Sequence, residues 1–406
     1  MSTQKSSYTL YNPKEVPLTT RAYNLEEFEV TVTEDPQKYR YVLENMEAVK
    51  PESMGPHYTE FTPVVKIALQ KFQLENQKAY VRTWKDFGLW QQQQLLRGRD
   101  KVPSGTLSKI NQLVAGIEDP KEKARLIYEF MQGKTRYISV QVGIGGWQPS
   151  TAKEVDELSY GDCKGLTNYT KALLQSQGIE SYYTIVDAGE DGLDIDEDFV
   201  ALQGNHVILT VPFEDERVFL ECTNQQVPFN YLGDFTDDRK VLMVTPEGGV
   251  IAKTHTYTSQ DNLQKLEATV RLGSDLKLTG KISETSEGIL YGNKYYLETT
   301  TTDDIKSYYK NLWGHLNNLF LENISFVNDK QSVLFTENLN FETDNYVSTA
   351  GQRILLNPNV FNRFVYLPSI EKERTQSLKI RRGQKFEDTI EILIPEGYKV
   401  EASFEP

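Results

Sequence analysis

The spacing of apolar residues changes twice along this 406-residue chain, and that change most strongly constrains its fold. In the first 70 residues apolar and polar side chains alternate, as at Phe28, Val30 and Val32, which predicts strands with one buried face. From about residue 75 apolar residues recur every three or four positions, which predicts helices. Strand patterns return afterwards and dominate the last third. We therefore expect a multidomain α+β chain.

The same pattern predicts three domains, in agreement with the two to four expected at roughly 150 residues per domain. Residues 1–74 form a β-rich segment, interpreted as the end of a larger β-sandwich. Residues 75–257 form a core that mixes helices and strands. Residues 258–406 form a β-sandwich-like domain, in which alternation across 266–282 predicts a hairpin around a Gly-Ser-Asp turn.

The core carries clear start signals for its helices. Asp119-Pro120 predicts a helix start with Glu122 placed for a capping box, and Gly133 predicts the end of that helix. Three later segments are rich in β-branched and aromatic residues, which predicts strands. They are YYTIV (182–186), HVILTV (206–211) and VFLECT (218–223).

Composition excludes several classes of protein. The net charge of −14 opposes binding to nucleic acids and to anionic membranes. No stretch approaches the roughly 20 apolar residues of a membrane span. The polar start has no apolar region typical of a signal peptide, so either the chain is cytoplasmic or its export signal lies outside this sequence. The oligomeric state stays open.

Cys163 is the first candidate for chemistry, because it follows a Gly-Asp turn at the start of a predicted helix. The unpaired N–H groups and the dipole of a helix start favour the thiolate, which is the nucleophilic form of cysteine. The backbone N–H groups there also point at a developing oxyanion. The alternative is a buried, inert thiol, which is the common fate of a free cysteine.

His206 and Glu221 are the candidate partners of this thiol. His206 begins one predicted strand and Glu221 lies within the next, so antiparallel pairing brings the two side chains together. An imidazole near the thiol can accept and return its proton, and a carboxylate can orient the imidazole. Taken singly, each has a plain structural alternative: a satisfied histidine at a strand start and a solvated strand glutamate.

Three segments together resemble the transglutaminase-like core of bacterial proteins: YGDCKGLTNYTKALLQSQGI, then NHVILTV, then FLECT. The likeness covers roughly residues 75–257, and the flanking β regions are similar to domains around this core in Bacteroidetes-type proteins. The resemblance implies a papain-like core with Cys163 as nucleophile, His206 as general base and acid, and Glu221 as the orienting acid. It also implies a periplasmic or cell-surface location, with the signal outside this sequence.

The chain departs from the pattern of that superfamily at two points. The third residue is usually Asp, and here it is Glu221. Animal transglutaminases use an upstream Trp as an oxyanion donor, whereas Trp147 lies only 16 residues before the cysteine. Trp147, Gln148 and Gln141 are candidates for lining the cleft, and packing in a Gly-rich loop is the alternative for all three.

The function expected from these residues is acyl transfer from an amide of a peptide or protein substrate, through a thioester and without a cofactor or metal. Water completes hydrolysis, as in a peptidase or amidase, and an amine completes transamidation. The same triad serves both outcomes. The alternative is a non-catalytic scaffold whose β domains bind a glycan, a peptide or a protein partner.

Other signals are weaker. Cys222 adjoins Glu221 and points to the opposite strand face, which predicts a core thiol, with a disulfide to Cys163 as the minor alternative. The other histidines lack ligand-like spacing, so we expect no zinc site. The acidic loop over 187–199 has carboxylates at some EF-hand offsets, which leaves calcium as a minor alternative. The main interpretation is a solvated loop near the cleft that favours basic substrates.

Overall fold

A computed structural model describes residues 2–363 and 373–402 of the chain. The chain forms two compact units, of which the first comprises Met1–Thr256 with Pro368–Ile380 and the second Tyr257–Leu367 with Arg381–Pro406. Helices and several sheets make this a mixed α and β chain, as predicted. The finer predicted division at 74/75 and 257/258 stays a prediction.

The first unit begins with small antiparallel sheets. Seven strands form them: β1 (Thr3–Tyr11), β2 (Leu18–Tyr23), β3 (Glu29–Asp35), β4 (Lys38–Met46), β5 (Val64–Leu69), β6 (Lys71–Leu74) and β7 (Gln77–Tyr80). They pair as β1-β4-β3, β2-β5 and β6-β7, and a 3₁₀ turn spans Tyr58–Glu60. The prediction of one buried face is wrong for β3, where Val32 is 44% exposed. The predicted boundary at 74/75 lies at the turn between β6 and β7.

Helices follow, beginning at residue 84 and not at 75 because β7 intervenes. They are α1 (Trp84–Trp90), continued by a π-helical stretch over Gln91–Leu96, then α2 (Ser104–Leu113), α3 (Pro120–Lys134), α4 (Ala152–Leu158) and α5 (Cys163–Gln175). Between them lie the two-residue strands β8 (Arg136–Tyr137) and β9 (Tyr160–Gly161), paired in parallel, and a 3₁₀ turn over Gly143–Gly146.

Helix α3 begins as predicted at Asp119-Pro120, but its cap differs. The Asp119 carboxylate accepts a hydrogen bond from the Lys121 N–H at 2.9 Å. Glu122 instead accepts two bonds from the Arg125 guanidinium, one turn along the same helix face. The predicted capping box is therefore wrong, because an i,i+3 ion pair competes for the glutamate. The helix continues past Gly133 to Lys134.

A five-stranded antiparallel sheet completes the first unit. Its strands are β10 (Tyr182–Val186), β11 (His206–Pro212), β12 (Arg217–Leu220), β13 (Lys240–Thr245) and β14 (Gly248–Lys253), in the order β12-β11-β10-β13-β14. Helix α5 packs against this sheet, and most of its residues are buried. Apolar side chains of α3, α4, α5, β11 and β12 form one core around it. This burial fixes the start of α5 against the central strands β10, β11 and β13.

The second unit is built on another five-stranded sheet. Its elements are β15 (Leu263–Leu272), β16 (Leu278–Glu287), α6 (Ile289–Gly292), a 3₁₀ turn over Tyr295–Thr299, α7 (Thr302–Leu312), β17 (Asn317–Asp329), β18 (Leu334–Asp344), β19 (Ser348–Ala350), β20 (Arg353–Leu355) and β21 (Lys385–Leu393). The sheet order is β17-β18-β16-β15-β21, and β19 pairs with β20.

The predicted hairpin in this unit is confirmed, since β15 and β16 pair from Gln264 opposite Ser286 to Leu272 opposite Leu278. Leu276 lies in the turn at φ 66° and not in the returning strand. In the described residues, the core of this sheet includes α7 and side chains of the β19-β20 hairpin. A helix and a hairpin thus contribute where the prediction placed a second sheet. None of the helices in residues 2–363 and 373–402 has the length and apolar character needed to cross a membrane.

Candidate active site

The start of α5 is held by a buried pair of charges on both sides of Cys163. One Asp162 oxygen accepts a hydrogen bond from the Gly165 N–H at 2.9 Å, which caps the helix. The other oxygen pairs with the ammonium of Lys164, and both side chains are buried. Because the lysine offsets the charge of the capping carboxylate, Asp162 can cap the helix with a reduced electrostatic cost to an anion at Cys163.

Cys163 is the first residue of α5 and is 8% exposed. It belongs to a small apolar cluster with Tyr183, Val207 and Val244, which lie on β10, β11 and β13. As the first helical residue it presents a backbone N–H that has no partner within the helix. The thiol therefore lies between a helix N-terminus and the sheet that carries His206.

His206 is the first residue of β11, where it pairs with Val186 of β10. Its Nε2 lies 2.8 Å from Oε2 of Glu221. Cys163 lies in a cluster with Val207, the next residue of β11, and contributes to the pKa of the His206 ring. Since Nε2 is engaged by the carboxylate, Nδ1 is the nitrogen left to face the thiol. Cys163, His206 and Glu221 are thus brought to one place in the first unit.

Glu221 lies one residue beyond β12, so its predicted position within that strand is wrong. Its second carboxylate oxygen, Oε1, accepts bonds from the N–H of Thr223 at 2.9 Å and from its hydroxyl at 2.5 Å. The Tyr128 hydroxyl donates to the Glu221 carbonyl at 2.7 Å. Strand pairing ends here because the backbone turns to make these bonds, and they fix the carboxylate toward His206.

The electrostatics of the pair favour a charged imidazole. Burial lowers the pKa of His206, but the Glu221 carboxylate and Cys163 overcome this and raise the pKa to about 10. Burial raises the pKa of Glu221, yet His206 and the Thr223 bonds outweigh burial and bring it below its usual value. At neutral pH the site therefore holds an imidazolium next to Cys163, which is the partner a thiolate needs.

Tyr183 is a further buried neighbour of the thiol. Burial, with smaller contributions from charges at Cys163 and Asp162, holds the pKa of this phenol well above its usual value of 10. The hydroxyl therefore stays protonated throughout the neutral range. The sequence placed Tyr183 on a strand but did not associate it with the cysteine.

The three side chains predicted to line the cleft lie in the loop before α4. Trp147 is 38% exposed, and its backbone N–H closes the Gly143–Gly146 turn by donating to Ile144. Gln148 accepts a bond from Arg99 at 2.5 Å, and Gln141 is exposed. The contacts described for these three side chains do not include Cys163, His206 or Glu221, so their role in the cleft stays a prediction.

Cys222 lies in the core of the first unit. It is fully buried among apolar side chains of the helices and the sheet. Burial raises its pKa to about 12, so it stays a thiol at neutral pH. Both cysteines are free, and the alternative disulfide between Cys163 and Cys222 is absent from the described structure.

The acidic loop uses several of its carboxylates for internal contacts. Asp187 accepts from the N–H of Leu193, and Asp194 accepts from the N–H of Lys240. Asp196 pairs with Lys66 at 2.7 Å. Among the described residues no group of three or more His, Cys, Asp or Glu side chains is placed to hold a metal ion. The minor calcium alternative stays untested.

Sequence reasoning missed the residues that surround the three predicted ones. Thr223 and Tyr128 orient Glu221, and the ring of Phe235 contacts His206 edge to face with centroids 5.4 Å apart. For Thr223 a local signal exists, because a hydroxyl two residues after an acid often bonds that carboxylate. Tyr128 and Phe235 are distant in sequence, and their roles depend on how α3 and the loop after β12 pack.

Comparison with known proteins gives limited matches. A family model for a domain of unknown function with solved structure, DUF3858, matches residues 352–406. No curated protein matches.

Two solved structures are similar to the chain. One is a candidate protease from Parabacteroides distasonis, at 13% identity and a TM-score of 0.45, over 84% of this chain and 66% of that one. This chain thus spans slightly less than two thirds of that protein. The other is a candidate cysteine protease from Cytophaga hutchinsonii, at 10% identity and a TM-score of 0.27, over 61% of this chain and 76% of that one. The resemblance to a transglutaminase-like core stays a prediction.

Proposed function

We propose that this chain is a cysteine-nucleophile amide hydrolase or acyl transferase that acts on peptide or protein substrates, with peptidase or amidase activity preferred. One observation carries the proposal: a buried imidazole has its Nε2 2.8 Å from a carboxylate and lies beside a helix-start cysteine that contributes to its pKa. This is the nucleophile, base and orienting acid of a triad, recognised by geometry and not by position in the sequence.

In the first half-reaction the Cys163 sulfur attacks the carbonyl carbon of the scissile amide. The negative charge that develops on the carbonyl oxygen is stabilised by the unpaired N–H at the start of α5. The imidazolium of His206 then donates its proton to the departing amine as the C–N bond breaks. A thioester on Cys163 and a neutral imidazole remain.

In the second half-reaction the neutral His206 accepts a proton from the attacking molecule. Water gives a carboxylic acid and restores the thiol, and an amine gives a new amide. Glu221 acts throughout by keeping Nε2 engaged, so that Nδ1 faces the reacting atoms. Its own orientation depends on Thr223.

The proposal is tested with casein and with glutamine-containing peptides, each incubated with and without a primary alkylamine. Mass spectrometry of the products separates the outcomes: peptide-bond cleavage, deamidation, or an amine adduct. We expect product formation that Cys163→Ala and His206→Ala abolish. Cys222→Ala is the matched control, because it removes the other cysteine and leaves the site intact.

The thiol itself provides a second readout that needs no natural substrate. Iodoacetamide is expected to label Cys163 at pH 7 faster than it labels free cysteine, and His206→Ala is expected to slow this labelling. Equal rates in both proteins, together with no Cys163-dependent product, would refute the enzyme and support the non-catalytic scaffold.

A further inference from the structure

Phe235 is a half-exposed aromatic ring at the edge of the candidate site. It lies on the loop between β12 and β13, is 47% exposed, and contacts the His206 ring at an interplanar angle of 64°. Burying a phenyl ring completely is worth about 2–3 kcal/mol more than leaving it exposed. A half-exposed apolar ring beside the proposed general base is placed to contact a bound substrate.

The loop that carries Phe235 is held in place by a buried arginine. The Arg239 guanidinium donates to the carbonyls of Asp187 at 2.6 Å and Gly189 at 2.8 Å, both in the acidic loop. It also donates to the carbonyls of Asp234 at 3.2 Å and Asp237 at 2.9 Å, on both sides of Phe235. One cation thus joins the two loops beside His206.

Two further features fix this arrangement. The Phe235 carbonyl accepts a hydrogen bond from the Gly189 N–H at 2.9 Å. A Cβ on Gly192 would lie 1.9 Å from an Arg239 nitrogen, so only glycine lets the acidic loop approach the guanidinium. Hydrogen bonds hold the backbone on both sides of Phe235, and this restricts the position of its ring beside His206.

Because Phe235 neighbours His206, the role of His206 in the reaction decides which part of a substrate reaches the Phe235 ring. In the proposed reaction His206 donates its proton to the departing amine and accepts one from the attacking water or amine. The amine side of the amide therefore lies against His206, while the acyl side stays with Cys163. A group attached to the amine nitrogen is thereby brought to the Phe235 ring.

On the basis of the proposed function, we propose that Phe235 forms the wall of an apolar subsite for the amine side of the substrate. The preferred peptides carry a large apolar side chain immediately after the cleaved bond. By the same geometry, an amine that attacks the thioester is preferred when its substituent is apolar. Apolar pockets discriminate by about 10–200-fold, and a single half-exposed wall belongs at the lower end, about tenfold.

The test uses a set of peptides of one length that differ only at the residue after the cleaved bond, with Leu, Phe, Ser or Asp at that position. The measured quantity is kcat/KM for each peptide, with products identified by mass spectrometry. The native protein is expected to cleave the Leu and Phe peptides about tenfold faster than the Ser peptide. Phe235→Ala is expected to reduce this ratio to about two or less, and Phe235→Leu to keep most of it.

Phe320→Ala is the matched control, because Phe320 is similarly exposed, at 56%, but lies on β17 in the second unit. It is expected to leave the ratio unchanged. An equal loss of rate for all peptides in Phe235→Ala would overturn the inference, because the ring would then only shield the imidazole. A native preference that is flat would overturn it as well.

Failure of the inference and failure of the proposed function give different results. Cleavage that depends on Cys163 but ignores the residue after the bond removes the subsite and leaves the enzyme. Absence of Cys163-dependent cleavage, together with ordinary labelling of the thiol by iodoacetamide, removes both.

Discussion

Replacing Glu221 by Gln tests the electrostatic core of the proposed site. The substitution keeps the length of the side chain but removes the charge 2.8 Å from His206 Nε2. It also leaves one hydrogen-bond donor without an acceptor. In the native protein the carboxylate accepts from His206 on one oxygen and from Thr223 on the other. The single oxygen of an amide serves only one of the two, and its NH₂ group faces the other donor.

The expected magnitude follows from the pKa of His206. A rise from the usual 6.5 to about 10 corresponds to about 5 kcal/mol in favour of the imidazolium. Glu221 and Cys163 share this stabilisation, with the charge of Glu221 the larger contribution. If Glu221 supplies only half, its removal costs about 2.5 kcal/mol, which lowers about 60-fold the equilibrium constant for proton transfer from the Cys163 thiol to the imidazole.

The assay is the rate of iodoacetamide labelling of Cys163 between pH 5 and pH 11. In the native protein the imidazolium persists up to a pH of about 10, so we expect Cys163 to label faster than free cysteine at neutral pH. In Glu221→Gln we expect labelling at pH 6.5 to fall by up to about 60-fold, because more of the Cys163–His206 pair is neutral, and to recover only at higher pH. Cys163→Ser is the blank, because the remaining Cys222 is fully buried and is expected to label slowly.

Superposition of the two labelling profiles within a factor of two would refute this reasoning. The comparison requires a folded variant, which circular dichroism checks, since the unsatisfied donor is expected to cost about 1–3 kcal/mol of stability. A folded Glu221→Gln protein that labels like the native one would show that the carboxylate does not control the charge of His206.

Three further outcomes are expected from the structure. Cys222→Ala removes a fully buried core thiol and should lower the free energy of unfolding by about 1 kcal/mol, measured by urea titration, without slowing product formation. Tyr128→Phe removes the 2.7 Å hydrogen bond to the Glu221 carbonyl and should lower the free energy of unfolding by about 1 kcal/mol. The same variant should slow iodoacetamide labelling several-fold. Unchanged labelling would show that this bond only stabilises the fold. In the second unit, burial raises the pKa of Glu284, opposite Glu337, to about 7. Because the folded state binds this proton more tightly, stability should fall by about 3 kcal/mol as pH rises from about 4.5 to 7, and Glu284→Gln should flatten this dependence in thermal unfolding.

The period of the hydrophobic pattern was enough to predict several elements. The start of α3, the start of α5 and the β15-β16 hairpin all follow from local signals, namely caps, turns and alternation. Such signals act within a few residues and are visible in the sequence. The capping box at Glu122 failed for the same local reason, because Arg125 offered the glutamate a competing partner one turn away.

The site could be predicted only in part, because its outer residues are set by packing. The order of Cys163, His206 and Glu221 is a pattern of residue types, and a sequence displays it. The Tyr128 bond to Glu221 instead depends on how α3 packs on the sheet, and the Phe235 contact depends on a loop held by Arg239. No local signal indicates which distant loop a buried guanidinium will join.

The register of the sheet supplies a physical reason for the length of the acidic side chain at position 221. The pairing of β11 with β12 places Leu209 opposite Leu220, so continuing it by one residue would put position 221 opposite Ile208 and diagonal to His206. Diagonal neighbours lie about 7–8 Å apart, which is farther than direct cross-strand partners. Glutamate has one more methylene than aspartate, and its carboxylate reaches Nε2 at 2.8 Å while Thr223 holds its other oxygen. The acid leaves the strand at this point, and the length of the glutamate side chain compensates for the offset from His206.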